Sequence, residues 1–185
     1  TLNGPPTHKT PIVFALVNRL YILDLMEGRS VVSHFVNNGL DACLIDRGKL
    51  TARDQHLRLE DYVNGYLDNV IDTIRDRTGS EKVSVLGYCL GGTMSSMYTA
   101  THQEKVRNLI LLAAEIDFAT DEGLLNLWTK PEHFDIDGFL DAFGNCPAEY
   151  LQSSFQLLKP ITNTIEKPLS FYENLDDDAF IADFL

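Results

Sequence analysis

The heptapeptide Leu86-Gly87-Tyr88-Cys89-Leu90-Gly91-Gly92 narrows the possible folds more than any other stretch of this chain. It joins two segments of different character. Before it, Lys82-Val-Ser-Val-Leu86 is a short β-prone run of the kind that forms a buried strand. After it, residues 93–102 read as a helix. A chain passes from strand to helix in so few residues only through a sharp turn, and glycine is needed wherever a side chain would strike the neighbouring backbone. Gly87 and Gly91 flank the cysteine at those points.

The surrounding pattern repeats the same alternation. Residues 12–17 form a continuous apolar run after Pro11, residues 41–45 and 106–113 are further runs of this type, and all read as strands of a parallel sheet covered on both faces. Between them, residues 30–38 read as a short helix with Gly39 as its stop. A longer helix is opened by Glu60 and Asp61 and closed by Arg75 and Arg77, charges that complement the helix dipole. Its apolar face is Val63, Leu67, Val70, Ile71 and Ile74, and Gly79 ends it. Strand and helix in alternation with short connections predict a right-handed parallel α/β sheet. Beyond Phe118 strand signals vanish, and residues 128–185 read as short helices broken by Pro131, Pro147, Pro160 and Pro168. The expected organisation is an α/β core over residues 1–118 and the start of a helical cap over 119–185.

A Gly-x-nucleophile-x-Gly turn between strand and helix is the nucleophile elbow of the α/β-hydrolase fold, here with Cys in place of Ser. The fold class expected is therefore a partial α/β-hydrolase fold. The elbow aims the side chain above the strand ends, where open α/β sheets bind ligands. The first turn of the following helix presents unpaired N–H groups and its positive dipole end, which favour a thiolate at Cys89. The expected oxyanion donors are the Leu90 N–H and a group on the loop after the first strand, at Asn18 or Arg19. Gly87, Gly91 and Gly92 form the elbow itself. Cys43 lies within a strand and is read as a packing residue, and Cys146, beside Pro147 in the cap, as packing or idle. Of the five histidines, His8, His34 and His56 precede the nucleophile, His102 closes the nucleophile's own helix, and His133 lies in the cap. No strand-end Asp followed by a strand-end His comes after Gly92. The general base and its orienting acid are thus expected outside this chain, and the chain is read as excised from something longer and inactive alone.

Composition removes other classes. The net charge of −12 opposes nucleic-acid binding, which needs a basic surface. The acidity serves solubility, with a salt-rich cytoplasm as the alternative reading. The three cysteines are scattered, and no Cys/His spacing suits a metal, so no metal and no cofactor is expected and a reducing, intracellular setting fits. No apolar run approaches the ~20 residues of a membrane-spanning helix, and the first residues have no signal-peptide character. Asp176-Asp177-Asp178 reads as a solvated helix start, and Trp128, Phe134 and Phe139 as interior residues of the cap.

Several segments together resemble one family. Asn18-Arg-Leu-Tyr-Ile-Leu-Asp-Leu25, Gly39-Leu-Asp-Ala-Cys-Leu-Ile-Asp46, Leu59-Glu-Asp-Tyr-Val-Asn-Gly-Tyr-Leu-Asp-Asn69, the GYCLGG elbow, Gly144-Asn145 and Leu157-Leu-Lys-Pro160 are similar to poly(3-hydroxyalkanoate) synthases. The likeness is greatest to the two-subunit class III enzymes, and the acidity resembles that of their haloarchaeal members. Three places depart from the family: Leu20 stands for Pro, Arg47 for Trp, and Lys49-Leu50 for Thr-Pro, all flanking the expected site entrance.

The resemblance implies an acyltransferase that polymerises (R)-3-hydroxyacyl-CoA through an acyl group on Cys89 and releases CoA. Its catalytic Asp and His fall beyond Leu185. It also implies a second synthase subunit, a homodimer formed through the cap, and a cytoplasmic location at the surface of polyester granules. Two other readings compete: a Cys-nucleophile esterase of the dienelactone-hydrolase type, which shares the elbow but lacks a large cap, and a non-catalytic granule-binding or dimerisation module.

Overall fold

The computed structural model describes residues 9–48, 50–119, 123–178 and 180–181. His8, Lys49 and the last residues of the expected C-terminal helix lie outside them. The chain divides into two compact units, Thr1–Ala119 and Thr120–Leu185.

The first unit is built on four parallel strands: β1 (Lys9–Val13), β4 (Asp41–Leu44), β5 (Val83–Tyr88) and β6 (Val106–Leu112), in the order β4-β1-β5-β6. A short antiparallel pair, β2 (Asp24–Met26) and β3 (Arg29–Ser30), follows a 3-10 turn at Leu20–Leu23. The path from β1 to β4 runs one way across the sheet, and the path from β4 to β5 crosses back over β1. That reversal is a topological switch point, and it opens a crevice at the carboxyl ends of β1 and β5.

Side-chain alternation divides the core into two layers, as the period of two in a strand requires. Val13, Val83, Val85 and Val106 face Val63, Leu67, Ile71 and Ile74 of the long helix and Met94 and Tyr98 of α3 (Leu90–Thr101). Ile12, Phe14 and Leu86 face the other way, against Leu23 and the apolar side of α1 (Val31–Asn37). Each fully buried aliphatic side chain in these layers contributes roughly 1.5–3 kcal/mol of transfer free energy. Ser30 caps α1 by accepting from Ser33 N–H at 2.8 Å. The long helix begins as π-helical turns, Asp61–Leu67, and continues as α2, Asp68–Thr78, to Gly79, whose φ of +66° supplies the left-handed stop.

The strand boundaries shift from the sequence expectation for physical reasons. β1 occupies Lys9–Val13 rather than 12–17, with Pro11 inside it. Its pairing with β5 begins only at Ile12, so the missing N–H of Pro11 removes no bond to β5. Residues 14–17 run past the sheet into the loop at the crevice. β5 extends to Tyr88 and α3 starts at Leu90, so the expected six-residue turn is compressed onto Cys89 alone. The β2–β3 hairpin has only three and two residues and leaves no periodic signal to read.

The second unit is helical throughout its described residues: α4 (Leu124–Trp128), α5 (Ile136–Phe143), α6 (Ala148–Leu158), π-helical turns at Thr162–Glu166 and α7 (Lys167–Glu173). Phe134, Phe139, Phe143 and Tyr150 form an aromatic cluster with ring centroids 4.8–6.3 Å apart. No described residue of this unit is buried. Pro168 does not break the helix as expected. It sits in the first turn of α7, directly after the π-helical turns, where the ladder is already reorganised and its absent N–H is tolerated.

A charged network ties the long helix to the start of β6. Lys105 Nζ donates to Asp68 at 2.6 Å and Asp72 at 2.8 Å, Tyr98 Oη donates to Asp68 at 2.6 Å, and Arg75 pairs with Asp72 at 2.6 Å. Partial burial pushes the Asp68 carboxyl up, but the bonds from Lys105 and Tyr98 outweigh it and hold the group below its usual range. The Lys105 bond does the same for Asp72, and the two carboxylates raise Lys105. Depressed carboxylates contribute stability that is present above their unfolded pKa, about 4, and lost as pH falls through the lower folded values. Urea unfolding of the chain is therefore expected to lose stability below about pH 4, and Lys105→Met should cost about 1 kcal/mol or less at pH 7 and flatten that acid limb. An unchanged acid limb in the variant would show that the network does not set it.

Candidate active site

Cys89 occupies the single residue between β5 and α3, with φ 54° and ψ −132°. A non-glycine residue here is strained, by about 1–3 kcal/mol, and such strain persists only where the surroundings hold it. Two hydrogen bonds and three close approaches do so. The Cys89 N–H donates to the Leu112 carbonyl at the end of β6, 2.9 Å away, and its own carbonyl accepts from Gly92 N–H at 2.7 Å. A Cβ on Gly91 would collide with the Val13 carbonyl at the end of β1, a Cβ on Gly92 with the Ala114 side chain, and a Cβ on Gly87 with the Gly92 backbone. None of these three glycines has a positive φ. They are required by close approach: α3 can start this near the sheet only if its first turn carries no side chains on that side.

Among the described residues one other non-glycine has positive φ, Ala113 at 47°. It follows β6 directly, so the two strained residues stand at the ends of neighbouring strands. Past Ala113 the chain turns back onto the elbow. Ala114 rests on Gly92, the Thr93 hydroxyl donates to the Glu115 carbonyl at 2.6 Å, and the Cys89 thiol donates to Glu115 Oε1 at 3.4 Å.

These neighbours set the thiol's acidity. Burial pushes the Cys89 thiol above its ordinary range, the Leu90 N–H opposes this, and the Glu115 hydrogen bond and negative charge add to the rise. The expectation of a favoured thiolate is thus reversed in this conformation. The helix N-terminus contributes in the expected sense, but desolvation and a carboxylate at contact distance outweigh one amide.

The Leu90 N–H lies on the sulfur's side, as an oxyanion donor at that position must. The Asn18 N–H is engaged in a turn, donating to Ala15 O at 3.1 Å, and leaves its side-chain amide as the available donor. Arg19 donates to Gly48 O at 3.3 Å. Arg47, which stands where the resembling family has Trp, donates to Ala15 O at 2.5 Å and reaches Asn18 O at 3.5 Å. Its guanidinium lies 4.5 Å from the centre of the Phe14 ring, and burial holds its pKa below the usual value. Arg47 therefore clamps the loop that runs beside the crevice. It also lines a small, half-open apolar pocket with Val13, Ile45, Tyr62, Tyr66 and Met94.

His102 ends α3, far from the sulfur, stacked on Tyr98 at 4.3 Å. Among the described residues no group of His, Cys, Asp and Glu could hold a metal ion. Asp117 takes a turn role, accepting from Ala119 N–H at 2.9 Å. Cys43 packs half-buried beside the larger core layer, and Cys146 is exposed. Glu115 was not singled out from the sequence. Its signal was present, though shared with Asp46 after the run 41–45: it is an acidic residue just past an apolar strand, at the strand ends where the nucleophile emerges.

The switch-point sheet, the strained strand-to-helix cysteine and the glycine contacts are those of an α/β-hydrolase elbow. The chain belongs to the alpha/beta hydrolase fold family, whose model matches residues 28–178. It is 47% identical over 173 residues to the poly(3-hydroxyalkanoate) polymerase subunit PhaC of Haloarcula marismortui, covering 94% of this chain and 36% of that protein. Over a similar span it is 45% identical to the Haloferax mediterranei subunit and 42% identical to that of Allochromatium vinosum, covering 35% and 48% of their lengths. The chain thus spans between a third and a half of these curated relatives. A solved structure of a lipase candidate from Sulfolobus solfataricus superposes with a TM-score of 0.54 at 16% identity, over 85% of this chain and 51% of that one, a likeness of fold. No helix among the described residues is long and apolar enough to cross a membrane.

The glycine contacts give a direct test. Gly91→Ala should cost about 3 kcal/mol or more in urea unfolding, since its Cβ meets backbone that cannot move aside. Gly65, with nothing within 4 Å of its Cβ position, serves as the control. Gly65→Ala should change stability by less than about 1 kcal/mol, in the stabilising direction. Equal effects of the two would refute the close-approach account.

Proposed function

We propose that this chain is the nucleophile-bearing part of a poly(3-hydroxyalkanoate) polymerase, and that Cys89 is the residue that carries the growing acyl chain. The observation that carries this reading is a cysteine held at a strained elbow inside a sequence 42–47% identical to three PhaC subunits. The Cys89 thiolate attacks the carbonyl carbon of a (R)-3-hydroxyacyl-CoA thioester, forming a carbon–sulfur bond. The tetrahedral oxyanion rests against the Leu90 N–H, with the Asn18 side-chain amide as second donor. The bond to the CoA sulfur then breaks, and CoA leaves with a proton. Exchange of one thioester for another is nearly balanced in free energy, so loading the enzyme needs little driving force. The 3-hydroxyl of one acyl group then attacks a second acyl thioester, forming an ester and freeing a sulfur. Two covalent steps in place of one are ordinary nucleophilic catalysis.

The base that deprotonates the hydroxyl lies in the part of the enzyme beyond this chain in our reading, because no described histidine bonds the sulfur. We read the helical second unit as the start of a cap, an element whose role in a polymerase of this kind would be to keep water from the acyl-enzyme. Its exposed apolar residues, among them Ile136, Phe143, Phe155 and Ile165, suit a homodimer contact. The relatives are named as subunits, which supports a second synthase subunit as partner. The polymer product places the working enzyme at the surface of polyester granules in the cytoplasm.

In the whole protein, Cys89→Ala should lower CoA release from (R)-3-hydroxybutyryl-CoA by about 10⁴-fold or more and abolish covalent acyl labelling. Labelling that survives the substitution would move the nucleophile elsewhere. Release of free hydroxy acid without polymer by the unsubstituted enzyme would make it an esterase.

A further inference from the structure

Glu115 is the group the proposed chemistry leaves unused, and it touches the reacting atom. Its position is determined at several points. β6 is tied to the elbow by the Cys89 N–H to Leu112 O bond, Ala113 turns the chain through a left-handed residue, Ala114 fits against Gly92, and Thr93 holds the Glu115 carbonyl. The backbone therefore presents this carboxylate to the sulfur without relying on side-chain freedom alone.

α3 has no charged side chain along Leu90–Thr101, and β5 offers only Tyr88 near the turn. Arg19 and Arg47, on the crevice side, are directed to the carbonyls of Gly48, Ala15 and Asn18. Asp117 bonds its own turn. Glu115 is thus the charged group, among the described residues, that acts on Cys89 Sγ.

We propose that Glu115 is a positioning residue that holds the Cys89 thiol in a protonated, hydrogen-bonded resting form and releases it when an acyl thioester enters the crevice. The inference rests on Cys89 being the nucleophile. Glu115 does not itself remove the proton in this resting pair. A carboxylate is a weaker base than a thiolate, so the shared hydrogen stays on sulfur. Attack requires that the thiol lose this partner and pass its proton to a stronger base, leaving Glu115 to repel the thiolate away from itself and toward the crevice. The device protects a polymerase sulfur from oxidation and stray acylation between chains, because the thiolate is the reactive form.

The test is the pH dependence of Cys89 alkylation by iodoacetamide in the whole protein, followed on the Cys89 peptide by mass spectrometry so that other cysteines do not contribute. Glu115→Gln should lower the apparent pKa of alkylation and speed the reaction at pH 7 by up to about tenfold, through a larger thiolate fraction. The limiting rate at high pH should change little. Glu115→Ala, which keeps the backbone bond from Thr93, should shift the profile in the same direction and provides the reading if the Gln variant fails to fold. An unchanged or raised pKa in the folded variant overturns the proposal. The acyl-labelling experiment with Cys89→Ala reads the nucleophile separately, so a shifted titration with labelling elsewhere would sink the catalytic reading and leave the Cys89–Glu115 pairing standing.

Discussion

The start of α3 lies so close to the ends of β1 and β6 that the positions facing them can carry no side chain. Everything at this site depends on that approach. Gly91 against the Val13 carbonyl, Gly92 against Ala114 and Gly87 against Gly92 allow the helix to begin one residue after the strand. The residue left in between is forced to a positive φ, and it is a cysteine. The strain is supported from two sides, by β1 below and by the Leu112 carbonyl of β6 beside it. The helix start and the strained nucleophile are consequences of a single packing constraint.

The same constraint couples the elbow to the segment after β6. Because Ala114 must fit the space that Gly92 leaves, the chain bends at Ala113 and brings Glu115 back over the sulfur. Electrostatics at the site are then a contest between one backbone amide and two opposing effects, desolvation and a carboxylate. The amide loses. A helix N-terminus is thus not enough to make a thiolate when the sulfur is partly buried and the nearest charge is negative. In the proposed polymerase, a protonated resting state and a reactive working state are compatible, provided that substrate entry separates Cys89 from Glu115.

Much of the fold could be read along the chain. The apolar faces at Val63, Leu67, Ile71 and Ile74, the short helix after Ser30, the stop at Gly79 and the four strand runs are short-range patterns, and each lies within a few residues of where it was expected. The boundaries moved where a neighbour intervened. Residues 14–17 are as apolar as a strand but extend beyond the pairing that β4 and β5 offer, and Pro168 is kept in a helix because the turns before it have already given up regular bonding. The hairpin at Asp24–Ser30 was invisible because two and three residues cannot display a period.

The sequence alone determined that a cysteine sits between strand and helix with glycines around it, because strand period, helix period and glycine spacing are local properties of adjacent residues. It could not determine that residue's protonation. Glu115 is 26 positions from Cys89, and Arg47 is 32 from the carbonyl it clamps at Ala15. Their encounters depend on which strands neighbour one another and on the single left-handed bend at Ala113. Tertiary structure decided which charge meets the sulfur, since the Coulomb field of a side chain acts through space and follows the packing of the sheet rather than the order of the chain.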